Sequence, residues 1–545
     1  MDLPAPTERL RFRRFRPDDG SLVGAMVTDP EVAALIEGRP LTEADARERV
    51  LPEILERYEA LPGPRRFAVD HVLSALEVVG TTMAVNLRSR GVLERLVFEL
   101  WRVVHVDWDG EILAPSGVMR STGSASIASR DSVPAMGSLW HPFSDMAVVE
   151  RDGELVIARG DGAYIWDDAG NRYLDATAGL WFANIGHGRA ELAEAAAAQM
   201  RQMAAYSTFG DYVTKPTVEL AERLAGIAPV PGSKVFLTSG GSDSIDTAAK
   251  LSRRYWVETG HPEKTVIIGR QKAYHGMHYA GTAIGGIPGN TEGYGVLVPD
   301  TATVAWDDVE DLRATIERIG PDRVAAFFCE PVIGAGGVYP PPPDYLAGVR
   351  KLCTELDVLF VADEVITGFG RIGGAWFASS KFGLEPDLVT CAKGLTSGYA
   401  PMGAVLVVPR VWEPFFGPEP GVWLRHGYTY SGHAAASAVA LANLDVIERE
   451  GLLDEAARLE TTLADRLGPL VDLDPVVEVR CGTGALAAVQ LADPPTAMAL
   501  AKRLRSFGVA TRAVGAGGIQ VSPPLVMTDE QVGELADALA AALGD

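Results

Sequence analysis

The chain has 545 residues, 47% apolar and 22% charged, with a formal net charge of −23. That length exceeds one hydrophobic core and predicts about three units, while no apolar run approaches the roughly 20 residues needed to cross a bilayer, so no membrane partner is expected. So acidic a chain lacks the clustered Lys and Arg that polyphosphates require, which excludes DNA and RNA as leading partners.

In chain order, the opening "MDLPAPTERLRFRRF" has no apolar core of a secretory signal, and a cytoplasmic location is expected. Residues 115 to 138, "PSGVMRSTGSASIASRDSVPAMGS", are rich in Ser, Gly and Ala and read as a flexible connector. From about 139 onward, short β-branched runs alternate with helical patterns. "KVFLTSGG", "KTVIIGR", "RVAAFFCEP", "DVLFVADEV" and "DLVTCAKG" read as strands, with amphipathic stretches such as "PDYLAGVRKLCTEL" between several of them. Runs this continuous suit strands buried on both faces, so the predicted fold class is α/β, a mostly parallel sheet covered by helices. The stretch "HAAASAVALANLDVIEREGLLDEAARLETTLADRL" reads as one long helix, followed by a smaller α+β unit closing on "DEQVGELADALAAAL". Cys329, Cys353, Cys391 and Cys481 lie far apart with no CxxC pair and read as reduced core thiols.

In open α/β sheets, ligands collect beyond the carboxyl ends of the strands, and four groups of residues fall there. In "TSGGSDSIDTAAK" a strand ends and a helix begins, presenting free N–H groups and a hydroxyl to an anion; alone, such a turn is more often a plain N-cap. Tyr274 and His275 follow "TVIIG", where an aromatic can stack on a flat ring or simply close the core. Asp363 ends "VLFVA", and a buried carboxylate there needs a cation or strong donors, which a neighbouring helix end also supplies. Lys393 stands among Gly, Thr and Ser in "CAKGLTSG"; a lysine in a partly dry pocket becomes a usable nucleophile, although most strand-end lysines reach solvent. Together, anion cradle, buried acid, amine and aromatic are the parts that hold pyridoxal 5'-phosphate.

With "EPVIGAGGVYPPP", "FVADEVITGFGRIG" and "HGYTYSGH", these stretches resemble, in order, the class III aminotransferases of pyridoxal-phosphate fold type I. "LWHPFSD", "DATAGLWFANIGHGR" and "TRAVGAGGIQVSPPLVMTDEQ" narrow the resemblance, over residues 139 to 545, to the ω-amino acid and amine:pyruvate branch. The resemblance implies a segment 139–193 contributing to a small domain, a cofactor-binding large domain 194–432, and a C-terminal small domain 433–545. It implies that Lys393 bonds to the cofactor aldehyde and then moves the substrate proton, that Asp363 keeps the pyridine nitrogen protonated, and that Val365 and Tyr274 pack on the two ring faces. Gly241 and Ser242 would hold the phosphate, Glu330 would belong to the cofactor site, and Thr429 would reach the phosphate from the neighbouring subunit of a homodimer. Trp181, Phe182, Tyr206 and Phe209 resemble the pocket's aromatic wall, with plain core packing open for Phe182. Arg512 resembles the mobile arginine that takes a carboxylate and swings away for an uncharged amine.

Two departures stand out. Ile333 occupies the position of a frequent Gln, and Gly240 and Ile245 replace a commoner Ser and Asn in the phosphate loop. The expected activity is transfer of an amino group from an ω-amino acid, diamine or amine to a keto acid, pyruvate first. Other class III chemistries (biotin-pathway aminotransferase, aminomutase, phospholyase) are the alternatives, and a non-catalytic binding module is the remote one. Residues 1 to 112 resemble an internally deleted GNAT-type N-acetyltransferase that lacks the Gln/Arg-x-x-Gly-x-Gly/Ala turn; a structural appendage that does not bind acetyl-CoA is expected.

Overall fold

A computed structural model of the chain describes residues 138–418 and 421–544. The expectations for residues 1–112 and for the connector lie outside the described residues. After the helix Met146–Asp152 come three short antiparallel strands, β1 (Ile157–Asp161), β2 (Tyr164–Asp167) and β3 (Arg172–Asp175). Residues Val509–Ala510, near the other end of the chain, join β3 in parallel, so the start and end of this unit share one sheet.

The central sheet has seven strands: β4 (Lys234–Thr238), β5 (Val266–Arg270), β6 (Thr301–Val304), β7 (Val324–Cys329), β8 (Leu359–Asp363), β9 (Leu388–Cys391) and β10 (Gly403–Val407). Their order is β4-β10-β9-β8-β7-β5-β6, and β10 alone runs antiparallel to its neighbours. Alternation along β7 explains why its whole run is apolar. Ala326 and Phe328 pack with Ile245, Ala248 and Trp256 of the helix Gly241–Glu258 on one face. Phe327 and Cys329 pack with Leu346, Val349 and Leu352 of the helix Tyr345–Glu355 on the other. With both faces covered, each Phe is worth roughly 1.5–3 kcal/mol of burial, and no polar face is left to interrupt the pattern. The shared direction brings the ends of β4, β5, β7, β8 and β9 to one edge, which is where the site residues lie.

The C-terminal part adds β11 (Val476–Arg480), β12 (Ala487–Leu491), β13 (the Val509–Ala510 edge strand), β14 (Ala513–Val514) and β15 (Gly518–Val521). Apart from β13 these form an antiparallel sheet in the order β11-β12-β15-β14. One sequence expectation fails here. The predicted single long helix is two, Ala434–Arg449 and Leu452–Leu467, because Gly451 takes the left-handed conformation with φ 63°. Glycine does this without the steric penalty that a Cβ would impose, and the apolar periodicity on either side conceals the break.

Candidate active site

The helix Gly241–Glu258 starts directly after β4, and its first turn faces the cavity. A Cβ at Gly241 would come within 2.9 Å of Val365 Cγ1, so only glycine lets the backbone N–H groups lie this close to the pocket. Ser242 Oγ accepts the Met277 N–H at 3.2 Å, which leaves its hydroxyl proton to donate. Gly240 sits in extended backbone at φ 174°, a conformation any residue adopts, and Ile245 lies buried beneath the cavity.

Asp363 ends β8 almost fully buried, and three elements answer its charge. Val365 N and Thr390 Oγ1 donate to Oδ1 at 3.1 and 3.3 Å, and His275 Nδ1 lies 2.7 Å from Oδ2. His275 is itself buried, and its Nε2 has no partner among the described residues. The adjacent Glu330 accepts Tyr274 N at 2.9 Å and Gly334 N at 3.0 Å, and burial pushes its carboxyl pKa up. Thus Glu330 fixes the backbone beneath the Tyr274 ring while His275 fixes Asp363.

Lys393 follows β9 with φ 39°, a strained left-handed conformation for a side chain of this size. Loss of water brings its ammonium down to about 8, against the pull of Asp363 and Glu330. With Gly241, Ser242, Tyr274, Asp363 and Val365 it lines a cavity of about 120 Å³.

Arg512 lies beside this cavity, close enough for its charge to act on Lys393 and Tyr274. Its guanidinium carbon stands 4.4 Å from the centre of the buried Trp181 ring, and its Nε donates to Gln520 Oε1 at 2.7 Å. Burial holds its pKa down to about 10, and no carboxylate opposes that loss. Trp181 belongs to a strained turn with φ 47° at Ala178, 67° at Gly179 and 61° at Trp181. The Asp175 carboxylate holds this turn by accepting from Thr177 N, Thr177 Oγ1 and Gly179 N at 2.7–3.0 Å.

Other predicted residues are not brought to Lys393 within one chain. Phe182 is half-buried and closely packed: Cβ atoms at Gly179 and Gly398 would each come within 2.3 Å of its ring. Tyr206 and Phe209 are 52% and 55% exposed, and Phe209 lines a separate hollow with Tyr212 and His426. Thr429 is exposed in the turn from Tyr428 to Ser431. That loop is tied to the cofactor-side helix by His426 Nε2 and Thr247 Oγ1 at 2.8 Å, and by Tyr428 OH donating to Asp243 O at 3.0 Å. Ile333 is buried and bridges Tyr339 through backbone bonds alone. Sequence reasoning missed the roles of His275, Gln520 and Glu364, the last of which is fully buried and accepts the Ala378 and Ser379 N–H groups at 2.6 and 2.7 Å.

A buried amine at Lys393 suits an aldehyde, the carboxylate group of Asp363 suits a pyridine nitrogen, and the helix end at Gly241 and Ser242 suits a phosphate, with Tyr274 and Val365 lining the same cavity. Fold and site together define an α/β enzyme that works through pyridoxal 5'-phosphate. The chain belongs to the class-III aminotransferases, whose family model matches residues 146–543. It is 40% identical over 423 residues to a putrescine–pyruvate aminotransferase of Pseudomonas aeruginosa, covering 72% of this chain and 91% of that one. A β-alanine–pyruvate aminotransferase of the same organism is 34% identical over 428 residues, covering 74% and 95%. Among solved structures, an amine transaminase from an uncultivated Pseudomonas species in its PLP-bound form superposes with a TM-score of 0.72 at 38% identity, over 75% of this chain and 99% of that one.

Proposed function

We propose that this aminotransferase moves an amino group from an ω-amino acid, a diamine or a simple amine to a keto acid, with pyruvate as acceptor, in a ping-pong cycle. The observation that carries this reading is Arg512, a desolvated guanidinium beside Lys393 with no carboxylate against it. A cation in that state favours a partner that brings its own carboxylate, and a planar fork binds one at two points. The names of the similar aminotransferases, with putrescine, β-alanine and pyruvate, agree with it.

The cofactor, when bound, supplies the electron sink that makes a substrate C–H bond acidic. Lys393 would hold it through its amine, and the same amine would carry the proton at the substrate carbon. Asp363, oriented by Val365 N, Thr390 Oγ1 and His275 Nδ1, would face the ring nitrogen and hold its proton. Tyr274 and Val365 hold the ring flat, and Gly241 and Ser242 hold the phosphate from one side. We assign Thr429 to the phosphate of a neighbouring subunit's site, in a homodimer whose subunits complete each other's pockets; Tyr206 and Phe209 belong to that shared wall. The chain works in the cytoplasm in this reading.

The test is a pair of half-reactions on the purified holoenzyme. Donor alone should shift the cofactor spectrum to that of pyridoxamine phosphate, and pyruvate should reverse it. Arg512→Ala should raise KM for pyruvate about ten- to a hundredfold, the worth of a charge-assisted hydrogen bond or two. A spectrum that pyruvate fails to restore, in wild-type enzyme, rules this reading out.

A further inference from the structure

Gln520 is fully buried on β15, directly across the strand pair from Arg512. The two backbones are joined: Gln520 N donates to Arg512 O at 3.0 Å, and Thr511 Oγ1 donates to Gln520 O at 2.6 Å. Chemistry orients the side-chain amide as well. Arg512 Nε can only donate, so the amide atom 2.7 Å from it is the carbonyl oxygen; the amide nitrogen then lies 2.5 Å from Ser522 Oγ and donates to it. The far end of this chain is also fixed, because Ser522 N donates to Ala176 O at 2.7 Å, at the root of the turn that carries Trp181.

We propose that Gln520 is a specificity-determining positioning residue, which holds the Arg512 guanidinium toward the Lys393 cavity without neutralising it and thereby sets the affinity for carboxylate-bearing partners. The inference rests on the reading of Arg512 given above. Nε is the donor nearest the stem, so anchoring it fixes the plane of the guanidinium, and neither Nη group has a protein acceptor among the described residues. The Trp181 ring backs the guanidinium from the side. A glutamate would fill the same space and accept the same bond, yet its charge would satisfy the cation in advance. A leucine would fill the space and hold nothing. The amide alone provides a fixed direction together with an undiminished charge.

The experiment compares Gln520→Glu, Gln520→Leu and Arg512→Ala holoenzymes with one amino donor and two acceptors, pyruvate and the carboxylate-free aldehyde pentanal. KM for pyruvate should rise about tenfold or more in Gln520→Glu and a few-fold in Gln520→Leu, while KM for pentanal stays within about twofold. If Arg512→Ala loses pyruvate selectively but both Gln520 variants keep the wild-type KM, the role of Gln520 is refuted and that of Arg512 stands. If Arg512→Ala treats the two acceptors alike, the underlying reading of Arg512 fails and takes this inference with it. Equal losses for pyruvate and pentanal in the Gln520 variants assign the residue to the fold and overturn the proposal. Should Gln520→Leu not accumulate as folded protein, the isosteric Gln520→Glu decides alone.

Discussion

At Lys393 the backbone and the side chain are both held against their own preference. A left-handed φ of 39° costs an L-residue about 1–3 kcal/mol, and it persists because Asn443 Nδ2 donates to Gly394 O and Leu395 O at 2.9 Å each, locking the turn. The amine has its pKa lowered from 10.5 to about 8. Its unfavourable contribution to stability is therefore full below about pH 8 and fades as pH rises toward 10.5, where the unfolded chain also loses its proton. The same titration governs reactivity. Capture of pyridoxal 5'-phosphate by the cofactor-free protein should accelerate up to about pH 8 and level off above it, read as the growth of bound-cofactor absorbance across a pH series. A rate still climbing steeply near pH 10 shows an ordinary solvated lysine. His275 bears on the same chemistry through Asp363. In His275→Phe the Oδ2 donor is lost in a dry site, and cofactor affinity should weaken about tenfold, the worth of one hydrogen bond to a charge; His275→Asn, which restores a donor, should recover part of it. Equilibrium titration of the cofactor-free variants decides, and unchanged affinity in His275→Phe removes the role.

Strands and loops were legible in the sequence to different degrees, for physical reasons. Two-sided burial makes β5, β7, β8 and β9 continuous apolar runs, so Asp363 and Lys393 could be placed at strand ends from composition alone. The Gly-rich turn after β4 was legible as a turn from its glycines, and at Gly241 the structure adds a reason for one of them, since a Cβ there would meet Val365 Cγ1 at 2.9 Å. Pairings across the fold were not. His275 and Asp363 are 88 positions apart, and Arg512 and Gln520 meet only once β15 is set in register, so no local pattern announces either. Nor could periodicity separate a pocket Phe from a packed one. Phe182 is wedged by Gly179 and Gly398, and this predicts the outcome at two glycines that share a left-handed φ. Gly374, at 73° with open space around it, should lose about 1 kcal/mol on replacement by Ala. Gly398, at 81°, would also drive a Cβ to 2.3 Å from the Phe182 ring, and Gly398→Ala should cost at least about 2 kcal/mol more and loosen the Lys393 loop. Denaturation midpoints of the two variants, measured side by side, should differ in that order; equal midpoints mean that Phe182 moves freely and does not brace the loop.

At the scale of the whole molecule, some of the expected site residues lie away from the Lys393 cavity of their own chain. Thr429 is exposed, and Tyr206, Phe209, Tyr212 and Val213 each present more than half their surface to solvent, and apolar exposure concentrated in this way, unlike a lone exposed side chain, suits a covered face. Yet the loop bearing Thr429 is anchored, through Thr247 and Asp243, on the helix whose first turn lines the Lys393 cavity. The arrangement suits a two-fold assembly, in which the same patch meets itself and each subunit's loop finishes the other's site. This has a consequence that no single-chain site shares. Lys393→Ala removes the covalent anchor of a subunit's own site, and Thr429→Asp sets a carboxylate against the phosphate of the neighbouring one. Each variant alone should be almost inactive. Mixed in equal amounts and allowed to exchange subunits, they form heterodimers in which one site carries both lesions and the other carries none. Half of the dimers would be of this kind, each with one intact site of two, so activity should return to about a quarter of wild type. It should appear at the rate of subunit exchange, and cross-linking the dimers before mixing should prevent it. If the mixture stays as inactive as its parents while size-exclusion chromatography shows that subunits have exchanged, Thr429 serves its own chain, and the site is complete within one protomer.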